Sequence, residues 1–299
     1  MKARNISGIL EKTITVKTVL LFFCAASFLI RTCPAAEEIN SGTLYTQDNI
    51  PIAYEHYKGG FRSVVIICPG FFNSKKNRWM QKTVELVKGS YDVIIFDFRG
   101  HGDSGGKYTW SALEDKDLGA VLRYAASQKY KHIGIIAFSL GAAASVNAAA
   151  SPNDIDSMVL ISCPSRFSMI NFHFWEPAMF SDLKDNIECN WEGKGARFGS
   201  IFYPKKDPID SIASVNNTAI LFIHGDNDWV INDRHSRKLY EAASGTKKLE
   251  VIKGGLHAER IVQFCPEKIQ KLILNWFSET LADQACPKAI RPATCAEAL

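Results

Sequence analysis

Residues 132–150 read HIGIIAFSLGAAASVNAAA, and the fold turns on how this stretch divides. The first seven, His132–Phe138, form a nearly unbroken apolar run rich in isoleucine, the pattern of a strand buried on both faces. From Leu140 onward the residues are small and mostly good helix formers. Ser139 stands between the two. A serine at a sharp strand-to-helix turn has its hydroxyl lifted above the carboxyl end of the sheet, and the tightness of the turn demands small flanking residues. Ala137 and Gly141 meet that demand in the order A-x-S-x-G. The N–H of Leu140, at the start of the helix, can donate to an oxyanion.

Working outward, short apolar runs alternate with helical stretches. Strands are expected at Thr43–Tyr45 and Ile50–Tyr57, around the turn residues Asp48 and Asn49, and then at Ser63–Cys68, Asp92–Phe96, His132–Phe138, Ser157–Cys163, Ala219–His224 and Lys248–Ile252. Helices are expected at Arg78–Lys88, Ser111–Gln128, Leu140–Ala150, Asp233–Ala243 and Glu259–Leu281. The alternation argues for one doubly wound α/β domain over residues 40–282, with a mostly parallel sheet. Residues 164–214 break the rhythm. They are rich in aromatics (Phe167, Phe172, Phe174, Trp175, Phe180, Trp191, Phe198), contain no clear strand, and read as an inserted cap over the sheet edge.

The ends carry separate information. Lys2, Arg4, Lys12 and Lys17 precede an apolar run from Thr18 to Ile30, and Cys33-Pro34-Ala35-Ala36 follows. Charged, apolar and small residues in that order form an export signal over residues 1–35, with cleavage before Ala36. The leader is long and Arg31 interrupts the cleavage region, so an uncleaved membrane anchor is the alternative. Residues 283–299 read as a tail outside the domain. Of eight cysteines, Cys68 and Cys163 end apolar runs and are expected to be buried small hydrophobes. Cys189, Cys265, Cys286 and Cys295 are able to pair in an oxidising compartment, with no pairing specified. The net charge of +4 is modest and lies partly in the leader, and no basic stripe interleaved with aromatics suggests nucleic acid as a partner.

With these residues in view, the chain resembles the α/β-hydrolase superfamily, on the monoacylglycerol-lipase and proline-iminopeptidase side. Five segments match in order. The stretch around Ser139 resembles the nucleophile elbow. Pro69-Gly70-Phe71-Phe72 is similar to the His-Gly-Φ oxyanion loop, with Pro69 in place of the histidine. Asp97-Phe98-Arg99-Gly100-His101-Gly102-Asp103-Ser104 resembles the D-x-R-G-x-G-x-S loop. His224-Gly225-Asp226-Asn227-Asp228 matches H-G-x-x-D, and Gly254-Gly255-Leu256-His257 follows the last strand. The resemblance covers roughly residues 42–281. It implies an α/β-hydrolase fold with a Ser139–His257–Asp228 triad, oxyanion donors at the N–H groups of Phe71 and Leu140, no cofactor and no metal.

The chemistry fits those residue types. A serine hydroxyl is a poor nucleophile until a base takes its proton, and a histidine needs a carboxylate on its other nitrogen to fix its tautomer. Asp226 is the rival acid. His101, His224 and Asp103 read as loop stabilisers, Lys75, Lys76 and Arg78 as a solvated helix start, and His173 and Glu176 as residues within reach of substrate or simply packed. No spacing suggests a metal site. The expected reaction is hydrolysis of a carboxylic ester or thioester through an acyl-serine, with a hydrophobic small-molecule acyl substrate. A peptidase that binds a free amine through Glu176, Glu188 or Glu192 is the second reading, and a non-catalytic binding protein on the same fold the third.

Overall fold

The structure, a computed structural model, describes residues 38–170, 177–188 and 192–281. Eight strands follow one another as β1 (Glu38–Tyr45), β2 (Pro51–Lys58), β3 (Ser63–Cys68), β4 (Asp92–Phe96), β5 (His132–Phe138), β6 (Ile155–Ile161), β7 (Ala219–Gly225) and β8 (Lys247–Ile252). They form one sheet in the order β1-β2-β4-β3-β5-β6-β7-β8. The pairings β1–β2 and β2–β4 are antiparallel, and all the others are parallel. The chain steps from β3 to one side and then crosses to β5 on the other. Such a switch point opens a crevice at the carboxyl ends of the two strands.

The apolar strand runs are buried on both faces because helices cover both. Val64, Ile66 and Cys68 point to one face, where Leu118, Val121 and Ala125 of helix Glu114–Ser127 and Leu239 of helix Arg234–Ala242 pack with helix Leu140–Ala149. Val65 and Ile67 point to the other, against Met80 and Val84 of helix Arg78–Val87 and Ile269 and Ile273 of helix Pro266–Thr280. Each such side chain stabilises the fold by roughly 1.5–3 kcal/mol relative to exposure. Cys68 and Cys163 lie within this core as free thiols, and burial pushes the Cys68 thiol up to about 12.

Several boundaries differ from expectation. β1 begins at Glu38, five residues early, because an exposed edge strand needs only backbone pairing with β2 and carries no apolar run. β6 spans Ile155–Ile161 rather than Ser157–Cys163, since Ser162 turns the chain with φ of 52°. The helix expected over Glu259–Leu281 is two helices, Glu259–Phe264 and Pro266–Thr280. Pro266 lacks the N–H that a continuing helix requires and starts a new one instead. Lys75 is not solvated. It is 4% exposed and bonds Asp97 at 3.1 Å and Asp103 at 2.5 Å, tying the loop after β3 to the Asp97–Ser104 loop. The interval between β6 and β7 holds helix Pro177–Glu188 and a short helix, Pro208–Ser211. The leader, the tail, Cys24, Cys33, Cys189, Cys286, Cys295, His173 and Glu176 lie outside the described residues.

Candidate active site

Ser139 follows β5 with φ of 51° and ψ of −118°, a conformation that a residue with a side chain adopts only when its surroundings enforce it. Two contacts enforce it here. The Ser139 N–H donates to the carbonyl of Ile161 at 2.8 Å, anchoring the turn to β6. Gly141 lies so close to Pro69 that any Cβ there would overlap the Pro69 carbonyl oxygen. Gly141 thus sets how closely the helix start and the Pro69–Phe72 loop approach.

Asp228 lies in the loop after β7 and His257 in the loop after β8. The carboxylate Oδ2 of Asp228 is 2.8 Å from His257 Nδ1, and His257 Nε2 is 3.0 Å from Ser139 Oγ. A carboxylate only accepts, so Nδ1 carries the ring hydrogen and Nε2 accepts from the serine hydroxyl. The other oxygen of Asp228 accepts the N–H groups of Val230 at 2.9 Å and Ile231 at 2.8 Å. Burial by itself would raise this carboxyl, but the charge of His257 and the hydrogen bonds of His224 and His257 outweigh it. They hold Asp228 well below the usual carboxylate range. The residue is therefore an anion at neutral pH.

The histidine is placed by backbone. Ala258, with φ of 47°, donates its N–H to Ser162 Oγ at 3.0 Å. The N–H of Ser162 in turn donates to the carbonyl of Ile223 at 2.9 Å. Ser162 fixes the His257 loop through this chain, yet nothing in its sequence context marks it.

The Pro69–Phe72 turn is fixed with equal care. The Phe72 N–H donates to His101 Nε2 at 3.1 Å, and His101 Nδ1 bonds the Arg99 carbonyl at the same distance. His101 is therefore a buried loop support. The N–H groups of Phe71 and of Leu140 donate to no protein acceptor among the described residues, and both residues line the crevice beside Ser139. His224 contacts Ser236, Ile231 and Asp228, and Asp103 pairs with Lys75 and Lys76. Asp226 turns away from the histidine and accepts the Gly254 N–H at 2.6 Å.

Ser139 opens into a cavity of about 500 Å³ whose walls are largely apolar, with Phe71, Trp110, Phe167, Ile170 and Trp229 among its lining residues. Phe198 closes over Trp110 in a stacked arrangement with ring centres 5.6 Å apart. One part of the wall is polar. Lys194 Nζ bonds Glu259 Oε1 at 2.6 Å, and Asn73 Nδ2 donates to the same oxygen at 2.8 Å. Sequence reasoning passed over all three. Among the described residues no group of histidine, cysteine, aspartate and glutamate gathers as a metal site would require.

Residues 63–186 match the family model described as alpha/beta hydrolase fold. The chain is similar to the hydrolase YugF of Bacillus subtilis (strain 168), 24% identical over 123 residues, covering 41% of this chain and 44% of YugF. It is also similar to the protein YqkD of the same organism, 26% identical over 235 residues, covering 70% of this chain and 72% of YqkD. Against YfhR of Escherichia coli O157:H7 it spans 64% of the relative's length at 24% identity. Among solved structures it resembles the esterase Pf2001 of Pyrococcus furiosus with a TM-score of 0.66 and 22% identity, over 83% of this chain and 94% of that one. The bromoperoxidase of Bacillus anthracis aligns with a TM-score of 0.63 at 19% identity, over 80% and 100%. Sheet order, strand pairing and the match over residues 63–186 agree on an α/β-hydrolase fold.

Proposed function

We propose that this protein is a serine hydrolase acting on carboxylic esters, with thioesters as close analogues. The observation that carries the reading is the relay of 2.8 Å and 3.0 Å from Asp228 through His257 to Ser139. In this reading Ser139 Oγ attacks the acyl carbon while His257 Nε2 takes its proton. The carbonyl oxygen becomes an oxyanion held by the N–H groups of Phe71 and Leu140. His257 then returns the proton to the departing alkoxide as the C–O bond breaks. Water, deprotonated by the same histidine, hydrolyses the acyl-serine and frees the acid. The apolar cavity supports a hydrophobic acyl or aromatic group as the substrate's recognised part.

The peptidase reading has less support. Glu188 pairs with Lys184, and Glu192 lies 3.8 Å from Arg78; neither lines the cavity, where Lys194 and Lys205 would repel a free amine. Export through residues 1–35 belongs to the same proposal, and an N-terminus at Ala36 in the mature protein is its expected mark.

Labelling with a fluorophosphonate probe tests the reading. Wild type is expected to label and Ser139→Ala to remain unlabelled while still folded, and a screen over acyl length then sets the substrate range. A folded wild type that takes up no probe would overturn the reading.

A further inference from the structure

The Lys194–Glu259 pair lines the cavity, and the relay leaves it without a role. The two side chains are 11% and 8% exposed. A pair this far withdrawn from water loses hydration that its mutual attraction barely offsets, and packed apolar side chains would serve stability as well. Its presence in an aromatic wall therefore calls for a reason other than stability.

Its placement supplies one. Glu259 lies two residues past His257 and lines the same cavity, and the charge of His257 acts to lower its carboxyl. Burial raises the Glu259 carboxyl, but Lys194 outweighs that effect and holds it at about 2, so the group is ionised throughout the working range of a histidine base. Lys194 arrives from a different part of the chain. Residues 192–199 form a strap across the oxyanion turn, with the Gly195 N–H donating to the Phe72 carbonyl at 2.9 Å and Asn77 Nδ2 donating to the Glu192 carbonyl at 3.3 Å. Asn73, on the turn itself, completes the link to Glu259.

We propose that Lys194 and Glu259 are positioning residues that set the proton affinity of His257, the carboxylate raising it and the ammonium tempering that rise. The proposal rests on the serine hydrolase reading for its consequence but not for its measurement. Asp228, with His224 behind it, also bears on His257, and Lys205 lines the same cavity. None of them changes in the variants below.

The pKa of His257 is read by NMR titration of its ring protons, and the acid limb of kcat/KM is read beside it. In Glu259→Gln the uncompensated ammonium is expected to move both to lower pH by roughly half a unit or more. In Lys194→Met the uncompensated carboxylate is expected to move both upward by a similar amount. The double variant, neutral at both positions and safe against a stranded charge, returns both towards wild type. A purely structural pair would give no such opposition in sign. Shifts in the same direction, or none in folded protein, would overturn the proposal. If the NMR shifts appear in a protein that takes up no probe and cleaves no ester, the serine hydrolase reading fails and this one stands.

Discussion

The imidazole of His224 lies 3.3 Å from Oδ2 of Asp228, the same oxygen that His257 holds at 2.8 Å. Ser236 Oγ lies 2.6 Å from His224 Nδ1, and Nε2 is 2.7 Å from the Ile231 carbonyl. A carbonyl only accepts, so Nε2 carries the hydrogen and the serine hydroxyl donates to Nδ1. Two histidines thus bracket one carboxylate, the outer one fully buried. His224→Leu is expected to lower kcat on the order of tenfold, with KM changed far less, because Asp228 loses one of the groups that orient it. Equal losses in kcat and in the folded fraction would reduce His224 to a packing role.

Gly141→Ala is expected to damage the site through the backbone. The added Cβ would overlap the Pro69 carbonyl, and the helix start or the oxyanion loop must move. Overpacking of this kind costs roughly 1–3 kcal/mol. Urea unfolding should show the loss, and probe labelling of Ser139 should slow even where the variant remains folded.

Lys75→Met removes the cation between Asp97 and Asp103. Asp97 is wholly buried and would lose its ionic partner. A loss of about 3–5 kcal/mol is expected, as when one member of a buried pair is deleted. Thermal unfolding of the two proteins under the same conditions measures it; a change within experimental scatter would mean that the backbone N–H groups of Lys75 and Asp103 suffice for Asp97.

Acid stability should carry the mark of Glu259. Its folded value is depressed from 4.5 to about 2, so the unfolded chain binds the proton first as pH falls. The stabilisation is complete above about pH 4.5 and drains away between there and about pH 2. Asp228 adds to the same trend. Denaturant midpoints for wild type and Glu259→Gln should therefore converge as pH drops through this window. Parallel curves would contradict the depressed value.

The sequence made the sheet and the relay legible for one reason: both are local signals. β5 and the elbow announce themselves through an apolar run, a serine and two small neighbours, and the loops after β7 and β8 each follow directly on a strand. What escaped was long-range. Lys194 meets Glu259 from 65 positions away, Ser162 meets Ala258 from 96, and Lys75 finds its carboxylates across a loop. A lysine in a run of polar residues has the pattern of a solvated one until the chain folds over it. The break at Pro266 is the exception, since a proline stands in plain view in the sequence at the point where the first helix ends.

Gly225 and Gly255 touch main chain to main chain: a Cβ on Gly225 would overlap the Gly255 carbonyl oxygen, and the Asn227 N–H donates to that same oxygen at 3.0 Å. The loop that carries Asp228 and the loop that carries His257 are thus joined through peptide groups as well as through the Asp226 and Asp228 carboxylates. Any side chain at Gly225 would therefore push the two loops apart and move Asp228 and His257 with them, a displacement that no change of rotamer elsewhere could absorb.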